Sequence, residues 1–300
     1  MKNFHRIGLW VGLVLIVVAG CGRKTPVALS LYCSVSHLPV TEELAKTFQQ
    51  VYGVVVVCIP TDDATHPVFT EWENKGPKKK NKNRFEIQRK EILDSEEIRH
   101  LKNWIETARY RDFSQYLSDN GDGDLYLCDS LVEVQQLEEF EILQKARPLA
   151  YLTPVLLVHP EKGDFRSVED VIKSPETLGI VRREINGLGR ETARFLQKIR
   201  EKDAVLQGAG KTAVFDNETL LLQAWKENQI AAVICWDSSA ARLFPETEPI
   251  VLPRTEVLAV PLTMCDLDGG GDHQIMELFS VFAASEKGQN LFRQFGYRVK

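Results

Sequence analysis

Two turns in this sequence carry the residue types that hold small anions. Ser34-Val-Ser36 follows the apolar run from Val27 to Cys33, and Asn186-Gly-Leu-Gly-Arg-Glu-Thr192 stands between an apolar run and an amphipathic stretch. The first turn of a helix has unpaired backbone N–H groups and a partial positive charge, so it can hold an anion without a lysine. Glycines let a ligand come close to that backbone, and hydroxyl groups add donors. Each turn taken alone also fits an ordinary helix cap. Their joint position at the C-terminal ends of strands points to a ligand site, because open α/β sheets bind ligands there.

Other chemistries find little support. There is no Gly-x-Ser-x-Gly elbow, Ser-x-x-Lys, His-Glu-x-x-His or Cys-x-x-Cys, so the chain is not expected to be an enzyme. The histidines His5, His37, His66, His100, His159 and His273 are scattered without metal-ligand spacing and read as surface or strand-end residues; no metal and no cofactor is expected. Gly208-Ala-Gly-Lys-Thr212 lacks the first glycine of a phosphate loop and reads as a surface turn. Asp119-Asn-Gly-Asp-Gly-Asp124 lacks calcium-loop spacing and reads as a polar turn leading into a strand.

The elements that must position such turns alternate. Val27 to Cys33, Val54 to Ile59, Leu125 to Cys128, Val155 to Val158, Leu178 to Val181 and Ala231 to Trp236 read as strands. Helical patterns start near Thr41, with Leu44, Phe48 and Val51 on one face, and run through about Leu131 to Gln144, Arg190 to Arg200 and Thr219 to Glu227. The continuously apolar strand at Val54 to Ile59 suits a parallel sheet covered on both faces. The whole predicts an α/β fold. One stretch, about 71–123, breaks the pattern: Lys75 to Lys90 holds eight basic residues against one acid, followed by acidic Glu91 to Glu97. It reads as an inserted, solvated loop with one or two charged helices.

The N-terminus has the layout of an export signal over residues 1–20, with Lys2 and Arg6 before the apolar run Gly8 to Val18. The run is shorter than the about 20 residues a membrane span needs. Val18-Ala-Gly-Cys21 resembles the lipobox of bacterial lipoproteins, which implies cleavage before Cys21 and a lipid anchor on its sulfur. Loss of Lys2 and Arg6 takes the formal charge from -5 to about -7, and this acidic body has no nucleic-acid signature. Of the other cysteines, Cys33, Cys58, Cys128 and Cys235 lie in or at the end of apolar runs and read as small buried hydrophobes, with a Cys33 to Cys58 disulfide as the lesser alternative; Cys265 leaves the number odd.

Four segments carry a family resemblance: Leu31 to Ser36 before a helix, Gly123 to Asp129, Ala232 to Ala240, and Phe279 to Tyr297 with its Ser-Glu-Lys-Gly break and closing Phe-Gly-Tyr. Together they resemble the periplasmic solute-binding proteins of the molybdate and tungstate type. The resemblance implies a two-lobed periplasmic-binding-protein fold, each lobe a mostly parallel sheet flanked by helices. Lobe one would be about 25–150 plus 240–300 with the insertion, and lobe two about 151–239, with strands near Tyr151 and Trp236 leading through the hinge. It also implies a monomer that serves an ABC permease and binds a small anion between the lobes. For the site it implies hydroxyl donors at Ser34, Ser36 and Thr61, backbone donors around Leu188 and Gly189, a helix start at Asn217 and Glu218, and Trp236 where the family has a tyrosine. Asp62 and Asp63 beside Thr61 would oppose a dianion unless they point away. Alternatives are a ferric-iron or other metal-ion receptor of the same superfamily, here without its adjacent tyrosines, and a non-transport sensor or interaction lipoprotein with a degenerate cleft. Neighbouring permease and ATPase genes would favour transport over the sensor.

Overall fold

A computed structural model of the 300-residue chain describes residues 28–62, 123–183, 185–203, 210–253, 259–268 and 271–299. The expected export signal, Cys21, and the insertion up to residue 122 lie outside the described residues. Among the described residues, ten strands form two sheets of five. The first sheet has the order β2-β1-β3-β10-β4, from Val55–Pro60, Ala28–Cys33, Leu125–Cys128, Val260–Leu267 and Leu143–Leu152. The second has the order β7-β6-β8-β5-β9, from Lys211–Phe215, Thr177–Val181, Ala232–Trp236, Pro154–Val158 and Ile250–Val251.

The two sheets share one plan. In the first, β2, β1 and β3 run parallel, β10 is antiparallel to β3, and β4 is antiparallel to β10. In the second, β7, β6 and β8 run parallel, β5 is antiparallel to β8, and β9 is antiparallel to β5. Four strands in each sheet therefore point one way. The reversed strand is the one that enters from the other lobe: β5 follows β4 after Thr153 alone, and β10 follows β9. Mostly parallel sheets flanked by helices, as expected, thus make two lobes.

Several element bounds differ from the sequence reading. The helix α1 starts at Leu38, with Pro39 in its first turn, and ends at Gly53, whose φ of 73° is left-handed. The helix α2 spans Leu131–Glu139 and stops before Gln144, because Glu141 takes a left-handed φ of 56° and the chain turns into β4. The strand expected near Tyr151 is β4, which begins already at Leu143, whereas β10 was not expected: Pro261 and the polar Thr263 and Asp266 hide its strand pattern. Gly210, with φ of 83°, makes the expected turn, but Lys211 and Thr212 already belong to β7. Because β9 still pairs with β5, the strand pairing puts the second crossing after Val251, later than the residue 240 expected.

The remaining helices are α3 (Val168–Lys173), α4 (Gly187–Lys202), α5 (Glu218–Lys226), α6 (Asp237–Leu243), α7 (His273–Ala284) and α8 (Glu286–Gln294). Among the described residues no helix is long and apolar enough to cross a membrane. In lobe one, fully buried Phe48 of α1 meets Phe279 of α7 edge-on at 5.0 Å and Phe282 at 5.4 Å. Burying a side chain of that size is worth about 1.5–3 kcal/mol. In lobe two, Trp225 of α5 packs on Phe244 at 4.6 Å, edge to face. Cys33, Cys128, Cys235 and Cys265 are buried and Cys58 is half-buried; all five are free thiols, without the Cys33 to Cys58 bridge held as an alternative. Burial pushes the Cys58 thiol up to about 11, as expected of an inert packing residue.

Candidate interlobe site

The three parallel strands of each sheet deliver one turn each to the seam between the lobes. From lobe one come Ser34 after β1, Asp62 after β2 and Asp129 after β3. From lobe two come Asn186 after β6, Asn217 after β7, and Trp236 at the end of β8. The arrangement follows from the shared sheet plan, since both lobes turn the C-terminal ends of their parallel strands toward each other.

Two carboxylates collect the donors of that seam. Asp62 accepts hydrogen bonds from the Ser34 hydroxyl at 2.6 Å, from the Val35 N–H at 2.6 Å, and from the Asn186 side-chain amide of the other lobe at 3.2 Å. Ser36 extends this set through its hydroxyl, 2.9 Å from that of Ser34. Asp129 accepts from the Gly187 N–H at 2.9 Å and from the Trp236 indole N–H at 3.3 Å, while the His37 ring lies 3.3 Å away. The other ring nitrogen of His37 is 3.0 Å from the Tyr297 hydroxyl. Both carboxylates are buried, with 5% of Asp62 and 2% of Asp129 exposed, so the seam is closed over them.

The two respond oppositely to that burial. Desolvation pushes the Asp62 carboxyl above its ordinary range, against the pull of Ser34, Val35 and Asn186. Desolvation acts on Asp129 in the same sense, but His37, the Gly187 N–H and Arg190 outweigh it and hold that carboxyl low. Around them lie two further buried carboxylates. Glu133 of α2 pairs with Arg190 of α4 across the lobes and accepts from the Tyr126 hydroxyl. Burial raises its carboxyl despite the Arg190 charge. Glu218 accepts from the Trp236 N–H at 2.7 Å and the Ser239 hydroxyl at 2.8 Å, and burial pushes it up to about 7.

Not every residue the sequence analysis named faces the seam with a free group. The Gly189 N–H is taken by the Asn186 side-chain oxygen at 3.0 Å, and the Leu188 side chain is in the core. The backbone donor that reaches across the lobes is Gly187. Glu218 turns inward onto β8 and α6. Thr61 is half-buried and its N–H donates to Cys33 at 2.8 Å. Asn217 caps α5 through its oxygen, at 2.9 Å from the Leu220 N–H, and its amide nitrogen lies 3.5 Å from the Asp62 carbonyl. His37, read as a surface or strand-end residue, follows β1 and is 1% exposed and central. Asp129 and His37 gave no signal beyond their places just after strands. Two surface pockets, one of about 370 Å³ beside Leu196 and Arg200 of α4 and one of about 710 Å³ beside Phe165 and Ile250, lie away from this seam.

Comparison with known proteins bears on this geometry. Residues 105–298 match the family model of the bacterial extracellular solute-binding proteins. No curated protein sequence matches the chain. Among solved structures, the periplasmic binding protein AfuA from Actinobacillus pleuropneumoniae, with exogenous fructose-6-phosphate bound, superposes with a TM-score of 0.63 at 14% identity, covering 91% of this chain and 84% of that one. The periplasmic molybdate-binding protein of Azotobacter vinelandii gives 0.58 at 10% identity, covering 91% and 99%. Iron-bound HitA from Pseudomonas aeruginosa gives 0.55 at 16% identity, covering 90% and 85%. At these identities the likeness is one of fold.

Proposed function

Since the chain belongs to the bacterial extracellular solute-binding proteins, we propose that it is the receptor of an ABC-type importer and takes a small oxyanion into the seam between its lobes. One observation carries the reading: donors from both lobes, among them the Ser34 hydroxyl, the Val35 and Gly187 N–H groups, the Asn186 amide and the Trp236 indole, converge on carboxyl oxygens. Uncharged dipoles of this kind select charge and shape without a cation. Here those oxygens belong to Asp62 and Asp129, and a bound oxyanion would present acceptors of the same kind. Ligand binding across the seam would close the hinge and offer the closed form to a permease. A lipid on Cys21 would keep the receptor next to that permease. An anion-bound AfuA and a molybdate-binding protein on the same fold are consistent with this ligand class. For the iron alternative, no group of three or more His, Cys, Asp or Glu side chains is arranged for a metal ion among the described residues.

A second reading, a sensor or interaction lipoprotein with a degenerate cleft, is favoured by the same donors being already satisfied within the chain. A thermal-shift screen against molybdate, sulfate, phosphate, fructose-6-phosphate and ferric citrate separates the two. An anion at about 100 times its Kd should add roughly 2.7 kcal/mol of stability, and Ser34→Ala should remove the shift. Silence toward every compound would reject the receptor in favour of the sensor.

A further inference from the structure

We infer that Asp62 is a built-in competing ligand of the interlobe site, and that the ligand the site takes is a small anion of single charge, such as a carboxylate, that displaces it. The inference rests on reading the seam as an anion site. Its first ground is geometric. Asp62 supplies two carboxyl oxygens in one plane, as a small carboxylate ligand would, and one of them bridges the lobes by accepting from Ser34 on one side and Asn186 on the other. Its second ground is the difference between the two carboxylates. The groups that hold Asp62 are all uncharged, whereas the charge of Arg190 acts on Asp129, which also accepts from the Gly187 N–H and the Trp236 indole, so Asp62 is the one a competitor can replace at lower cost. The third ground sets the charge of the ligand. Asp129 stays in place beside the vacated donors, and its charge opposes a dianion more than a monoanion.

The test is formate and acetate binding by the full chain, followed by calorimetry against a sodium chloride control, in the native protein, Asp62→Ala and Asp62→Ser. The two truncations empty the site while one retains a polar atom, so failure of either to fold leaves the other to decide. Expected is formate binding about tenfold or more tighter in the truncated variants than in the native protein, returning to the native level when Ser34→Ala is added, with sulfate gaining less than formate. Folded Asp62→Ala and Asp62→Ser proteins that bind formate no better than the native chain would overturn the inference. The two readings fail separately. A native protein that binds an oxyanion as tightly as its Asp62 variants keeps the receptor and loses the competing ligand. Variants that gain formate binding while the native chain ignores every oxyanion keep the competing ligand and lose the receptor.

Discussion

Glu218 lies under the seam with both carboxylate oxygens occupied, one by the Trp236 N–H and the other by the Ser239 hydroxyl. Burial is the main reason its carboxyl rises from 4.5 to about 7; the two hydrogen bonds and His37 pull the other way, and Asp129 adds to the rise. A carboxyl raised in the folded state binds its proton more tightly there than in the unfolded chain. Its contribution to stability is therefore complete below about pH 4.5 and is lost as pH climbs through about 7, a change on the order of 3 kcal/mol. Glu218→Gln keeps an acceptor for Trp236 and a donor toward Ser239 without the charge. Thermal melts from pH 5 to 8 should show the native midpoint falling relative to the variant as pH rises. Parallel curves for the two proteins would mean that Glu218 stays ionised in the fold.

Among the elements, α4 shows how one residue type serves two ends. The Asn186 oxygen caps the helix by accepting from the Gly189 N–H, and its nitrogen donates to Asp62 in the other lobe. Ser or Asp would cap a helix as well, but neither carries a second, opposite-sense group at that reach. Asn186→Ser should leave lobe two intact and loosen the lobes, while Asn186→Asp would set a carboxylate against Asp62. Amide hydrogen exchange checks this: α4 protection should hold in Asn186→Ser, and Val35 and Gly187 should lose protection, more so in Asn186→Asp. Loss of protection along the whole of α4 in the serine variant would instead assign Asn186 to the cap alone.

At the scale of the molecule, closure depends on backbone meeting backbone. A Cβ on Gly187 would stand 1.9 Å from the Asp129 carbonyl oxygen of the other lobe, while one on Gly189 would stand 2.1 Å from the Arg182 carbonyl oxygen of its own lobe. Two alanines two positions apart should thus act differently. Gly187→Ala should hold the lobes apart with little cost to either core, giving a larger radius of gyration by X-ray scattering. Gly189→Ala should destabilise the fold by about 1–3 kcal/mol of overpacking and so lower the melting temperature, at an unchanged radius. Equal radii for the native protein and Gly187→Ala would show that the seam is open in solution. The crossing from β4 to β5 is tied by Thr153 and Asp237, which exchange backbone and side-chain hydrogen bonds, and by Arg298, 3.0 Å from the Asp237 carboxylate.

Sequence alone determined the alternation of strands and helices, the α/β class, and the turns that end strands with Ser34 and Asn186. These are local properties: a strand's apolar run and a helix's periodicity are written within ten or so residues. The charge run from Lys75 to Lys90 and the lipobox-like Val18 to Cys21 are equally local patterns. What the turns meet depends on how the two sheets pack. Asp62 could have pointed to solvent and His37 could have sat on the surface; both are buried because β5 and β10 cross between sheets and bring six strand ends face to face. The same crossing makes Gly187, rather than Leu188 or Gly189, the backbone donor between lobes. A carboxylate's role as surface charge or internal acceptor depends on which donors surround it, and those donors come from residues up to 124 positions away in the chain.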